Sequence, residues 1–187
     1  LKLHDVNPET GEGAIVANGD NVMLGYHTDP KRTKSVFTAD GWFRTNDLAI
    51  QDEKGRFYIK GRKNNMILGP SGENIYPEEI ENVINNIDGV NESIVVERNG
   101  RLVALVQLDE NMIEWDKEGE DEFYKKLDAR KAQMLNFVNK QVSKFSKVND
   151  VEVMKEPFEK TATSKIRRFK YKDSAHTIES DKEAKEK

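Results

Sequence analysis

Cysteine is absent from the 187 residues, which excludes a disulfide framework and any thiolate metal site. Only three histidines occur, His4, His27 and His176, and their scatter offers no ligand spacing. No apolar run approaches the roughly 18 residues of a membrane span, so no transmembrane segment is expected. Leu1-Lys2-Leu3-His4-Asp5 lacks the basic flank and apolar stretch of a secretory signal. A cytoplasmic protein is therefore expected. The formal charge of −4 argues against a dedicated nucleic-acid binder. What is present, 36% hydrophobic residues, suffices for one large packed domain or two small ones. Residue 1 is not methionine and no fold-initiating element opens the chain, so it reads as cut from something longer.

The opening reads as irregular chain followed by a strand at Ala14 to Asn18, bounded by glycines. Asp29 as N-cap and Pro30 at the first helical position predict a short helix over Lys31 to Phe37. Trp42 to Ile50 and Arg56 to Lys60 are extended runs joined by turn residues, so residues 1 to 60 are mostly β. A short strand, Asn65 to Leu68, leads into a loop at Gly69 to Asn74. Pro77 begins a helix with Ile80, Val83, Ile84 and Ile87 at i, i+3, i+4 and i+7, ending before Gly89. Ser93 to Glu97 and Leu102 to Leu108 flank Asn99-Gly100, a strong hairpin signal. Phe123, Leu127, Met134, Val138, Val142 and Phe145 predict a long helix over about Glu120 to Phe145, and Val151 to Met154 a final strand. Intermingled strands and helices from Gly61 onward define an α+β class, and the charged tail after Asp173 reads as disordered.

Three places can carry chemistry. Asp47 on one strand offers two acceptor oxygens to a vicinal diol, and Arg62 on the next can donate to ribose or phosphate; the competing reading is a surface hairpin with solvated charges. In Gly69-Pro70-Ser71-Gly72-Glu73-Asn74, two glycines let backbone approach a ligand just before a helix N-terminus. It lacks the Lys-Ser/Thr ending of a nucleotide phosphate loop, and such a stretch is most often a plain strand-to-helix turn. Glu159 to Arg168 is a small-residue loop delivering Lys165 and then two arginines. A lysine so placed can neutralise developing charge on phosphate or carboxylate oxygens; the alternative is a basic surface strand that docks an acidic partner or nucleic acid.

In their order and spacing these places resemble the adenylate-forming enzymes: acyl-CoA synthetases, luciferases and the adenylation domains of peptide synthetases. The resemblance runs from about Gly11 to Tyr171, through Gly41-Trp42-Phe43-Arg44-Thr45-Asn46-Asp47-Leu48 and Gly61-Arg62-Lys63-Asn64-Asn65-Met66-Ile67 to Lys165. Each piece is weak alone, while the ordered set is specific. "GRKNNMILGPSGENIYPEEIE" is most similar to bacterial long-chain fatty acid CoA ligases.

The resemblance implies an α+β architecture in which residues 1–61 end a large N-terminal adenylation domain. Residues 62–172 form a mobile small domain and residues 173–187 the tail. Asp47 would hold the ATP ribose, Arg62 would add a nucleotide contact, and Lys165 would serve as the mobile catalytic lysine. Asn64 would be the hinge, and Ser71, Gly72 and Glu73 the loop brought to the site when CoA attacks the adenylate. Two departures stand out: the pivot is usually Asp or Lys, and Thr45-Asn46-Asp47 replaces Thr-Gly-Asp. Asparagine visits positive φ readily, so that turn is expected to survive. The implied substrates are a fatty acid, ATP and CoA, with AMP and pyrophosphate released. Magnesium would be held by the missing upstream domain, without which this portion would be inactive. A medium-chain or aryl acid, a non-catalytic module for an acidic partner, and a peripheral membrane contact all stay open.

Overall fold

The computed structural model describes residues 1–109, 120–173 and 177–178. They divide into two compact units, residues 1–66 and 67–187.

The first unit is built on an antiparallel sheet in the order β1-β2-β3-β4: Lys2–His4, Gly13–Ala17, Phe43–Gln51 and Phe57–Arg62. The first strand lies where irregular chain was expected. At three residues it is too short to show a period, and its pairing with β2, Lys2 opposite Val16, supplies the order. Helix α1 spans Pro30–Val36, with Asp29 accepting the Arg32 N–H as the N-cap pattern demands. The β3-β4 turn closes on Asp52, whose carboxylate accepts from the Lys54 and Arg56 amides.

In the second unit, β5 (Ile67–Leu68) and β6 (Asn74–Ile75) form a minimal ladder before α2, Pro77–Asn85. Strands β7 (Val90–Arg98) and β8 (Arg101–Leu108) make a hairpin in which Arg98 faces Arg101. Asn99 and Gly100 both take positive φ, 53° and 75°, the turn whose twist matches that of the flanking strands. Strand β9, Asp150–Val153, joins β8 in parallel, giving the order β7-β8-β9.

Both faces of this sheet are buried, which is why Leu102-Val103-Ala104-Leu105-Val106 reads as an unbroken apolar run. Val95, Leu102, Ala104 and Val106 pack with Ile80 and Ile84 of α2 and with Leu127, Met134 and Val138 of α3, Glu120–Gln141. Ile94, Val96, Val103 and Leu105 point the other way, onto Met154, Phe158, Ile166 and Tyr171. Fully burying one such aliphatic side chain contributes roughly 1.5–3 kcal/mol.

Two expectations are corrected. Helix α3 stops at Gln141, and Phe145 lies beyond it, half exposed. Ser143 and Ser146 hydrogen-bond each other through backbone and hydroxyl groups, a local alternative to another helical turn. In the tail, Thr177 bridges to Met154 and Ile178 joins the core, both 3% exposed. One apolar residue among many charges was outvoted in the compositional reading. Residues 174–176 and 179–187 lie outside the described residues.

Candidate functional site

The stretch Thr45-Asn46-Asp47 leaves the regular ladder. Ala14 faces Leu48 and Val16 faces Arg44, so three residues of β3 stand against Ile15 alone. The Thr45 hydroxyl donates to the Ile15 carbonyl and accepts the Asp47 N–H, and Asn46 sits at φ 68°. This is the conformation expected of Asn46: its short polar side chain tolerates the left-handed region that glycine otherwise fills. A second irregularity, between Leu48 and Ala49 on the β4 side, re-aims the end of that strand.

The two irregularities bring Asp47 and Arg62 opposite each other, Arg62 Nε standing 3.1 Å from Asp47 Oδ1. Arg62 Nη1 also donates to the Thr45 carbonyl, and the Lys63 N–H donates to the Asn46 carbonyl. The aspartate side chain is 27% exposed and that of the arginine 44%, so both polar heads stay open to a ligand. Asn64 follows in an exposed turn in which the Asn65 and Met66 amides donate to the Arg62 carbonyl. It takes no positive φ. Arg62 and Asn64 belong to the first compact unit, Arg62 tied there by the β3-β4 ladder.

In the second unit, the Ser71-Gly72-Glu73 loop closes on itself. Gly69 N–H donates to the Glu73 carbonyl and Gly72 N–H to the Gly69 carbonyl, with Gly72 at φ 86°. Glu73 folds its carboxylate over Gly69 and accepts the Ser71 N–H, thereby occupying a donor that an anion would otherwise use.

Lys165 ends a second self-contained turn. Lys160 and Ile166 form a bridge, and the Thr161 amide donates to the Lys165 carbonyl. Thr161 Oγ1 accepts the Lys165 N–H, and Ser164 takes φ 58°. Around this turn the basic run is neutralised from within. Lys160 pairs with Glu92 at 2.7 Å, Arg167 and Lys170 with Glu159, and Arg168 with Glu81. Among the described residues, the Lys165 ammonium has no ion pair or hydrogen bond, and its side chain is exposed. No hydrogen bond or ion pair joins Lys165 to the Ser71–Glu73 loop among the described residues. The structure therefore brings Asp47 and Arg62 together and presents Lys165 and Ser71–Glu73 separately.

Sequence reasoning missed Glu81. It was not singled out on α2, yet it is 5% exposed. Both carboxylate oxygens accept from the Arg168 guanidinium, and Oε1 also accepts the Val95 N–H at 2.7 Å. Burial pushes the Glu81 carboxyl up, against the pull of Arg168 and the Val95 amide. Burial equally opposes charge on Arg168, but the Glu81 carboxylate outweighs it and raises the guanidinium. Three donors converging on one carboxylate decide for the ionised pair at neutral pH. A signal was available: Pro77, Ile80, Glu81 and Ile84 form the i, i+3, i+4, i+7 stripe of buried residues, and a carboxylate inside such a stripe demands a partner.

No protein-family model matches the chain. It is 40% identical over 110 residues to a long-chain-fatty-acid–CoA ligase of Mycobacterium tuberculosis, covering 56% of this chain and 22% of that enzyme. It is 44% identical over 108 residues to the indoleacetate–CoA ligase of Aromatoleum aromaticum, covering 55% of this chain and 20% of that one. The solved structure of ATP-bound MatB from Rhodopseudomonas palustris superposes with a TM-score of 0.64 at 30% identity, over 87% of this chain and 30% of that one. The chain thus spans less than a third of the proteins it matches. The fold is that of the C-terminal part of adenylate-forming enzymes. Within that class, the chain is a homologue of the acyl- and aryl-CoA ligases.

Proposed function

We propose that the chain is the C-terminal part of a cytoplasmic ATP-dependent CoA ligase acting on long-chain fatty acids. In the first half-reaction a carboxylate oxygen attacks the α-phosphorus of ATP, forming acyl-adenylate and expelling pyrophosphate. In the second, the CoA thiol attacks the acyl carbon and AMP leaves. Asp47 holds the ribose hydroxyls through its two carboxylate oxygens, and Arg62 adds a nucleotide contact. Lys165 neutralises charge as it builds on the carboxylate and α-phosphate. The segment that follows the Asn64 pivot, to 172, acts as the mobile small domain, while Arg62 stays with the upstream strands. Asn64 is the pivot that exchanges the Lys165 turn for the Ser71-Gly72-Glu73 loop between half-reactions.

The observation that carries this reading is the single exposed, unpaired ammonium of Lys165 at the tip of a basic run whose other members from 160 to 170 all hold carboxylates. A patch built to dock nucleic acid or an acidic partner would keep its charges free. For magnesium, no group of three acidic or histidine side chains converges among the described residues, so no step here runs through it. No helix among the described residues is long and apolar enough to cross a membrane.

The acid is the open variable. The fatty-acid ligase relative supports a long chain, and the indoleacetate ligase relative, at higher identity, supports an aryl acid as the second reading. The test is ATP- and CoA-dependent thioester formation by the intact ligase across acids from acetate to stearate and indoleacetate, beside Lys165→Ala. A long-chain optimum abolished in the variant supports the reading in full. An aryl optimum moves it to the second, and full adenylation by Lys165→Ala removes the lysine from the chemistry. Asn64→Pro should spare adenylation and block thioester formation, and normal CoA transfer would remove the hinge role.

A further inference from the structure

Lys165 is placed by nothing in its own side chain. Its turn closes through Thr161, so where the ammonium projects depends on what holds the chain on either side. On the near side, Lys160 pairs with Glu92, but both side chains are a third exposed or more, and such pairs are loose and screened by salt. At the far end, Arg98 donates to the Tyr171 and Lys172 carbonyls while its Nη1 takes both oxygens of Glu152 at 2.9 Å. Tyr171 in turn stacks edge-on against Phe158 and accepts the Glu159 N–H at 2.7 Å. Between these, three residues after the lysine, Arg168 makes a two-pronged contact with Glu81, whose own Oε1 is held by the Val95 amide. A planar guanidinium on a fixed carboxylate restricts direction as well as distance, which apolar packing of Ile166 cannot do.

We propose that the buried Glu81–Arg168 pair is a positioning device for Lys165, fastening the segment behind the Thr161–Lys165 turn to helix α2 and strand β7 so that the ammonium projects from a fixed base. Neither residue is expected to touch substrate. The inference rests on the reading of Lys165 as the adenylation lysine and adds what holds that lysine in place. It also gives the buried pair a purpose other than stability, since an ion pair out of water often contributes no more than apolar residues of similar volume.

The informative variant is Glu81→Gln combined with Arg168→Met. The glutamine oxygen still accepts the Val95 amide and neither member of the pair is left as an unpartnered charge, so folding should persist while the directed contact is gone. In the 187-residue chain, amide exchange of residues 161–167 should quicken at least about tenfold with the melting temperature nearly unchanged. Unaltered exchange there would overturn the proposal. In the intact ligase, the kcat for adenylation should fall between about tenfold and a hundredfold. KM for ATP should be little changed and thioester formation from supplied adenylate retained, with Arg168→Lys falling between variant and parent. Equal loss in both half-reactions, in step with lost stability, would make the pair merely structural and sink the idea. Lys165→Ala run alongside separates the two readings. If it leaves adenylation intact, the lysine's role fails and the positioning role with it. If it abolishes adenylation while the paired variant keeps full activity, only the positioning role fails.

Discussion

Among the arginine–carboxylate pairs of the described residues, Arg62–Asp47 and Arg168–Glu81 share their chemistry in opposite settings. Arg62 meets Asp47 across strands through one close contact at 3.1 Å, with side chains 44% and 27% exposed. Arg168 grips Glu81 with two nitrogens, and the side chains are 24% and 7% exposed. In high dielectric the first pair gains little from closing and can open to a ligand at low cost. The second has been taken out of water, so removing either partner strands a charge. The same two functional groups thus make a replaceable contact in one unit and a permanent one in the other, and burial decides which.

The largest effect expected from this contrast is Glu81→Ala, which leaves Arg168 without its carboxylate and should destabilise the second unit by about 3 kcal/mol, the low end for a broken buried pair because Arg168 retains some solvent. Urea unfolding followed in that unit measures it, and a loss no greater than that of Asp47→Ala would break the comparison. Next comes the turn that presents Asp47. Asn46→Val puts a β-branched residue at φ 68° and should cost about 1–2 kcal/mol, whereas Asn46→Gly should cost almost nothing. Equal stabilities for the two variants by thermal melting would show that the turn relaxes. Arg62→Ala should change stability by less than about 1 kcal/mol while weakening ATP binding, measured by calorimetry on the intact ligase. Unchanged ATP affinity would leave the open pair without a ligand.

The smallest expected effect sharpens the exposed end of the scale. Hydrogen bonding from Thr38, with that from Lys2, lowers the Asp40 carboxyl from its ordinary 3.8 to about 2. The fold favours the ionised form, so this contribution is fully present above pH 3.8 and is lost as pH falls through about 2. Carbon-detected NMR titration of the side chain reads it directly. A midpoint at the ordinary value would show that neither the Thr38 nor the Lys2 contact to Asp40 is held in solution.

Much of the fold was legible because local rules carry it. Asp29 and Pro30 announced α1, Pro77 announced α2, and Asn99-Gly100 set the β7-β8 register through two positive φ angles. The Thr45-Asn46-Asp47 turn was legible for the same reason, since it rests on the conformational tolerance of a single asparagine. What escaped depends on partners far away in the chain. Strand β1 exists only because β2 pairs with it, and Ile178 is buried only because a core waits for it. Glu81 went unremarked because Arg168, its partner, lies 87 residues later.

By itself the sequence determined the α+β class, the positions of the turns, and the order of motifs that makes the chain a homologue of CoA ligases. Periodicity, caps and special backbone angles are properties of neighbouring residues, and neighbours are what a sequence displays. Only the tertiary structure decided which charges are spent and which are free. It closed Glu81 on Arg168, left Asp47 and Arg62 partly open to water, and kept the Lys165 ammonium unpaired. The strength of an ion pair depends on how much water the fold removes from it, and that is set by packing between residues remote along the chain.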